Sequence, residues 1–239
     1  MKSASASCSN EISASPEAIE MSSIRSSIYA VLAQGFSHPD ESVVRFFREC
    51  GEAGVVDCGR WKGGGAVRDP KSEIRNPNDA GALGSQLNAL VESARSMAPE
   101  DLQGSYMRLF DPLSGPFPYE TEQKKIGDFS KAQLMADIMG FYRAFGVEPC
   151  GQRPDHIASE LEFMHYLTLK EGHALRAAEP ENASLCRDAQ EKFFDEHLAT
   201  WTDALIDAMR AHGEGLAPFY IHLVDLLQLL IEHEKEVLR

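Results

Sequence analysis

Acidic and imidazole side chains crowd the stretch RPDHIASELEFMH, residues 153–165. Asp155 and His156 are neighbours, a pairing that proton transfer can use. On a helix His156 and Glu160 would share one face with Phe163, while Asp155, Ser159 and Glu162 would line the next. Glu162 and His165 have the Glu-x-x-His spacing that di-iron bundles use twice, on facing helices. The sequence holds no second copy of that pair and no HExxH, and its cysteines lack ligand spacing. An ordinary surface pair three residues apart is therefore expected, and no metal. A plain reading of 154–156 stands beside the chemical one. Pro154 suits the first turn of a helix, Asp155 there complements the positive end of the dipole, and His156 packs partly buried.

A second stretch, YMRLFDPLSGPFPYETEQ (Tyr106–Gln123), sets three prolines, a glycine and two aromatics beside the carboxylates of Glu120 and Glu122. Proline and glycine punctuate any turn, and Phe117 and Tyr119 could fold back on the core. Rigid apolar groups beside acids also suit capture of a peptide with an apolar part and a cationic end, because little entropy is lost on binding. Spacing alone does not separate these readings. Other chemistries lack a signature. GxxxxGK[ST] is absent, KGGGAV neither follows an apolar strand nor opens a helix, and GxSxG does not occur.

The elements that must position these residues read as helices throughout. Ile24, Ile28, Val31, Leu32 and Phe36 recur at three- and four-residue steps before SHPDE ends that run. Val43, Val44, Phe46 and Phe47 make a short second helix, and Leu83, Leu87, Leu90, Val91 and Ala94 a third. Pro99 opens a fourth, with Leu102, Tyr106, Leu109 and Phe110 on one face. After the proline loop, SKAQLMADIMGFYRAFG ends at Gly146, and a helix starting at Pro154 carries Ile157, Leu161, Met164 and Thr168. EKFFDEHLATWTDALIDAM and LAPFYIHLVDLLQLLIEHEKEVL read as two further long helices separated by HGEG. No period-two run reaches strand length. The expectation is an all-α, single-domain bundle of eight or nine helices over residues 17–239. A flexible Ser-rich leader over 1–16 precedes it, and a mobile Gly/Pro-rich loop over 54–81 interrupts it.

At 239 residues the chain can bury a core without disulfide or metal staples. Twenty-three basic against 37 acidic residues give a net charge of −14. That field opposes nucleic acid and anionic lipid and favours a basic partner. Five cysteines, an odd number with no CxxC, read as reduced thiols. Neither an apolar signal core nor a spanning stretch occurs, so a cytoplasmic location without stable membrane insertion is expected.

Together, YMRLFDPLSGPFPYETEQ and, some thirty residues on, PDHIASELEFMHYL resemble the paired signature of the TorD/DmsD/NarJ family, chaperones of molybdenum-cofactor oxidoreductases. The likeness runs from about Leu102 to Leu167 and returns in the last helices. The resemblance implies an all-α protein that performs no chemistry and carries no cofactor of its own. It would bind the twin-arginine leader or N-terminal region of an apo molybdopterin oxidoreductase subunit, assist cofactor insertion and prevent premature export. Partners would extend to export or cofactor-insertion machinery, and the chaperone itself would be a monomer or a helix-swapped dimer. Carried over by position, the binding residues are Tyr106, Leu109, Phe110, Pro116, Pro118, Tyr119, Glu120, Asp155 and His156. Glu120 and Asp155 would meet cationic groups, and Phe110, Pro118 and Tyr119 the apolar part. Gln152 and Arg153 stand where family members often carry an acid and a proline, and the added charge opposes a twin-arginine segment. Two alternatives remain at this point: an assembly factor of the NarJ kind for a subunit that is not exported, and a helical enzyme using Asp155 and His156.

Overall fold

The computed structural model describes residues 15–49, 81–113, 115–212 and 216–238. The expected leader lies outside them up to residue 14, as does the expected loop up to residue 80. Cys8, Cys50 and Cys58 are outside too, while Cys150 and Cys186 are free thiols.

Nine helices of nine or more residues form among the described residues: α1 Pro16–Gly35, α2 Glu41–Glu49, α3 Gly81–Ser96, α4 Pro99–Leu109, α6 Asp128–Ala144, α7 Ile157–Arg176, α8 Pro180–Glu196, α9 Thr202–Ala211 and α10 Pro218–Val237. A single turn, α5 Glu120–Gln123, lies between α4 and α6. No strand occurs among the described residues. The all-α expectation and its helix count are thus met.

Starts and stops follow local chemistry. Ser15 caps α1, its hydroxyl accepting from the Ala18 N–H at 3.1 Å, and Pro16 takes the first position, where a missing N–H costs nothing. Asp40 caps α2 by accepting from the N–H groups of Ser42 and Val43 at 2.9 and 3.0 Å. Gly146, at φ +69°, lets the chain turn out of α6.

The central element is α7. Its Ile157–Met164 stretch is buried on every face, because α1 packs along one side and α8 along another. The third side of the bundle is α10 laid on α3. Tyr142, Phe163 and Phe193 meet ring to ring, with centroids 4.8 and 4.9 Å apart, and join α6, α7 and α8. Where α1, α7, α8 and α10 converge, buried Arg25 donates to Glu234 through Nε at 2.7 Å and to Gln190 at 2.8 Å, with Glu171 3.5 Å away. Glu162 and His165 depart from expectation, for both are buried and not on the surface. His165 Nδ1 faces Ser26 of α1, 2.9 Å from its hydroxyl and 2.8 Å from its carbonyl, because α1 covers the face that spacing alone had left to solvent.

Two helix boundaries also differ. α7 begins at Ile157 with His156 as its cap, so Pro154 and Asp155 precede the helix instead of forming its first turn. The stretch expected as one helix from Glu191 to Met209 breaks after Glu196, with a short 3-10 turn at Leu198–Thr200 before α9. At the break His197 and Trp201 leave helical geometry, at φ −121°, ψ −83° and φ −139°, ψ −14°. Their side chains reach buried carboxylates, and those contacts override a propensity that has no Gly or Pro to interrupt it.

Candidate functional site

The two signature stretches meet backbone to backbone. Glu120 N–H donates to Asp155 C=O, and Ile157 N–H to Pro118 C=O, both at 2.9 Å, forming one antiparallel bridge between Tyr119 and His156. That bridge holds Asp155 and His156 extended and delays the start of α7. Tyr142 of α6 donates its hydroxyl to Pro154 C=O at 2.8 Å and fixes the same segment from beneath.

Upstream of the bridge the loop is tight. Gly115 N–H donates to Asp111 C=O at 2.7 Å, and a Cβ at Gly115 would lie within 2.6 Å of the Asp111 nitrogen. Glycine is required there by contact with backbone, which cannot yield. Pro116 and Pro118 are buried and Tyr119 half-buried, so the rigid loop folds back on the core in part. Its tips do not: Leu113 is 94% exposed and Phe117 44%. Met107 in α4 and Phe129 at the start of α6 are exposed as well, the latter at 78%. Leu109 belongs to the core, whereas Tyr106 and Phe110 pack tilted against each other at 4.9 Å and against the residues that follow α1, with His38 5.3 Å from Tyr106 and Phe36 6.5 Å from Phe110.

Both acids expected to meet a partner's cations already hold a cation of this chain. Asp155 is fully buried. Arg153 donates to it from Nε at 3.0 Å and from the terminal nitrogen at 2.8 Å, and Thr121 donates its hydroxyl at 2.7 Å. Arg153 also donates to the Thr121 hydroxyl at 2.9 Å and lies 4.2 Å over the Tyr119 ring. This fork-on-carboxylate geometry with a stacked ring is a strong arrangement for a half-exposed arginine. Glu120, equally buried, pairs with Lys124 one turn on and with His197 Nδ1 at 3.1 Å. Burial pushes its carboxyl up, but the hydrogen bonds from His197 and Lys124, with the charge of Lys124, prevail and hold it below the ordinary range.

Glu160, one turn into α7, is placed oppositely. Burial, reinforced by the nearby charge of Glu120, pushes its carboxyl well above the ordinary range against the Trp201 indole N–H, which donates to it at 3.0 Å. Glu160 is therefore held protonated. It ties the break between α8 and α9 to the start of α7.

An Asp–His catalytic pair is not built here. Both Asp155 oxygens are occupied by Arg153 and Thr121, and His156 Nδ1 caps α7 by accepting from Ala158 N–H at 3.0 Å while its ring packs edge-on to Tyr119 at 5.1 Å. The one group able to hold a metal among the described residues is Asp137, Glu196 and His197, which place one ligand atom each within 4.8 Å of one another. Sequence reasoning overlooked His197, Trp201 and Thr121. The first two sit in the unmarked helix break, and Thr121 is an ordinary residue until Asp155 is brought to it.

Residues 76–207 match the family described as nitrate reductase delta subunit, more than half of the chain and the whole of the bridged region. Among curated proteins, the chain is 28% identical over 228 residues to a perchlorate reductase assembly chaperone protein of Dechloromonas aromatica, covering 93% of each chain. It is 29% identical over 158 residues to a selenate reductase assembly chaperone protein of Thauera selenatis, covering 63% of this chain and 78% of that one. A chlorate reductase assembly chaperone protein of Ideonella dechloratans is 30% identical over 120 residues, 48% of this chain and 59% of that one.

Proposed function

The chain belongs to the nitrate reductase delta subunit family, and we propose that it is an assembly chaperone for the catalytic subunit of an oxyanion reductase. It acts by binding and performs no turnover. The client is an apo subunit awaiting its molybdenum cofactor, as the resemblance of the two signature stretches implied. None of the described helices is long and apolar enough to cross a membrane.

The client's N-terminal segment is held chiefly by apolar contact. The observation that carries this reading is the pairing of exposed Leu113 and Phe117 with acids that are already neutralised at the bridge. A rigid loop presenting apolar tips binds at low entropy cost. A client arginine, by contrast, gains Asp155 only by displacing Arg153. This supports the NarJ-like alternative over a strict reader of paired arginines. The half-exposed position of Arg153 nevertheless leaves a second route, in which a leader arginine takes over its fork on Asp155. Calorimetric titration with the N-terminal segment of an oxyanion-reductase catalytic subunit from the same organism, and with a version whose arginines are changed to lysine, separates them. Equal affinity for both supports the apolar grip, tenfold weaker binding of the lysine version supports arginine exchange, and absence of binding to either overturns the N-terminal segment as the recognised element.

A further inference from the structure

We propose that Asp137, Glu196 and His197 form a binding site for a divalent transition-metal ion of the zinc class, set between α6 and the break after α8. The inference stands apart from the client reading, since it rests on geometry away from the exposed loop.

His197 is 2% exposed, and its Nε2 has no hydrogen-bond partner although it is buried. Its other ring nitrogen faces Glu120 Oε2 at 3.1 Å. A carboxylate only accepts, so Nδ1 carries the proton, and in the neutral ring Nε2 presents a lone pair. That lone pair faces Asp137 Oδ2 at 3.3 Å, without hydrogen-bond alignment. Two electron-rich atoms facing one another are stable once a cation lies between them. A carboxylate fixing the far nitrogen of a ligating histidine is the usual outer-shell support of a metal site.

The helix break makes the third ligand possible. Consecutive residues of an intact helix do not face each other, but His197 has left helical geometry directly after Glu196, the last residue of α8. Both side chains consequently converge on Asp137, which comes from α6. One imidazole and two carboxylates suit zinc and its neighbours better than magnesium or calcium, which prefer all-oxygen sets. Asp137 and Glu196 are exposed, leaving an open side for water as the remaining ligand. Lys192, 4.0 Å from Glu196 and itself exposed, is free to swing aside. An ion here would cross-link α6 to α8 and, through His197 and Glu120, brace the bridged loop.

The test is calorimetric titration of zinc chloride into the metal-depleted full chain, with melting curves alongside, for wild type, Asp137→Asn and Glu196→Gln. Both variants alter exposed side chains, so folding survives; His197→Gln is a third arm. Wild type is expected to take up one more equivalent of zinc than Asp137→Asn, or to bind that equivalent at least tenfold more tightly. Glu196→Gln should weaken it similarly, and zinc should raise the melting temperature of wild type more than that of either variant. Equal stoichiometry and affinity in wild type and both variants would overturn the site. So would failure of wild type to bind zinc. Magnesium binding as tightly as zinc would overturn the metal class.

Discussion

Replacing Arg153 with alanine tests whether the bridged loop is held by an internal cation. Asp155 is fully buried and takes two hydrogen bonds from Arg153, at 3.0 and 2.8 Å. Breaking a dry ion pair by removing one member costs about 3–5 kcal/mol. Arg153, however, is 45% exposed, so water enters the vacated space and part of that cost is recovered. Asp155 also retains the Thr121 hydroxyl at 2.7 Å. An intermediate loss of about 2 kcal/mol follows for the pair, and losing the guanidinium over Tyr119 adds about 0.5–1 kcal/mol. In a chain of this length a total of about 2–3 kcal/mol lowers the melting temperature by roughly 4–12 °C. Urea unfolding followed by circular dichroism measures the loss directly, with the m-value unchanged. In an Asp155→Ala background Arg153→Ala should cost only the stacking contribution, a coupling of at least about 1 kcal/mol between the two positions. A loss below about 0.5 kcal/mol in the wild-type background, or additivity in the double variant, would refute the clamp.

Glu160 gives a pH signature. Unfolded, its carboxyl releases its proton near the ordinary value of 4.5; folded, burial keeps the proton on. Between those limits the native state holds more protons, so stability falls as pH rises, by about 1.4 kcal/mol per pH unit. Glu160→Gln should remove that slope from urea unfolding just above pH 4.5; parallel slopes for variant and wild type would show that Glu160 ionises in the fold. Glu234→Gln strips the nearer of two carboxylate charges facing buried Arg25, with Glu171 remaining at 3.5 Å, and should cost about 3 kcal/mol in the same assay, the low end for breaking a buried pair. Leu113→Ser with Phe117→Ser should leave the melting temperature nearly unchanged, because exposed substitutions of this kind shift stability by about 0.5 kcal/mol or less.

Helical periodicity carried most of the architecture because core-facing residues recur at three and four steps in nearly every element. Pro99 stands at the first turn it marks. What spacing could not carry is whatever tertiary contact imposes. Pro154 and Asp155 look like a helix start, yet pairing with 118–120 keeps them extended. Glu196-His197 reads as the middle of a helix, yet the pull of Glu120 on His197 and of Glu160 on Trp201 breaks it. The association of the two signature stretches was legible through resemblance, and the bridge between Tyr119 and His156 gives it a physical form. Arg153 stood out in the sequence as a charge opposed to a cationic ligand. Only the fold reveals that it already fills the carboxylate such a ligand would seek.

The central claim, that this chain grips the N-terminal segment of a reductase's apo catalytic subunit through the apolar tips of the bridged loop, is tested most directly by one titration. The N-terminal segment of an oxyanion-reductase catalytic subunit from the same organism is titrated calorimetrically into wild type and into the Leu113→Ser, Phe117→Ser double variant. Saturable binding to wild type, weakened tenfold or more in a variant that melts at the same temperature, is the predicted result. Binding of equal strength to both proteins would contradict the assignment of the loop as the gripping surface, and no binding to wild type would contradict recognition of the N-terminal segment itself.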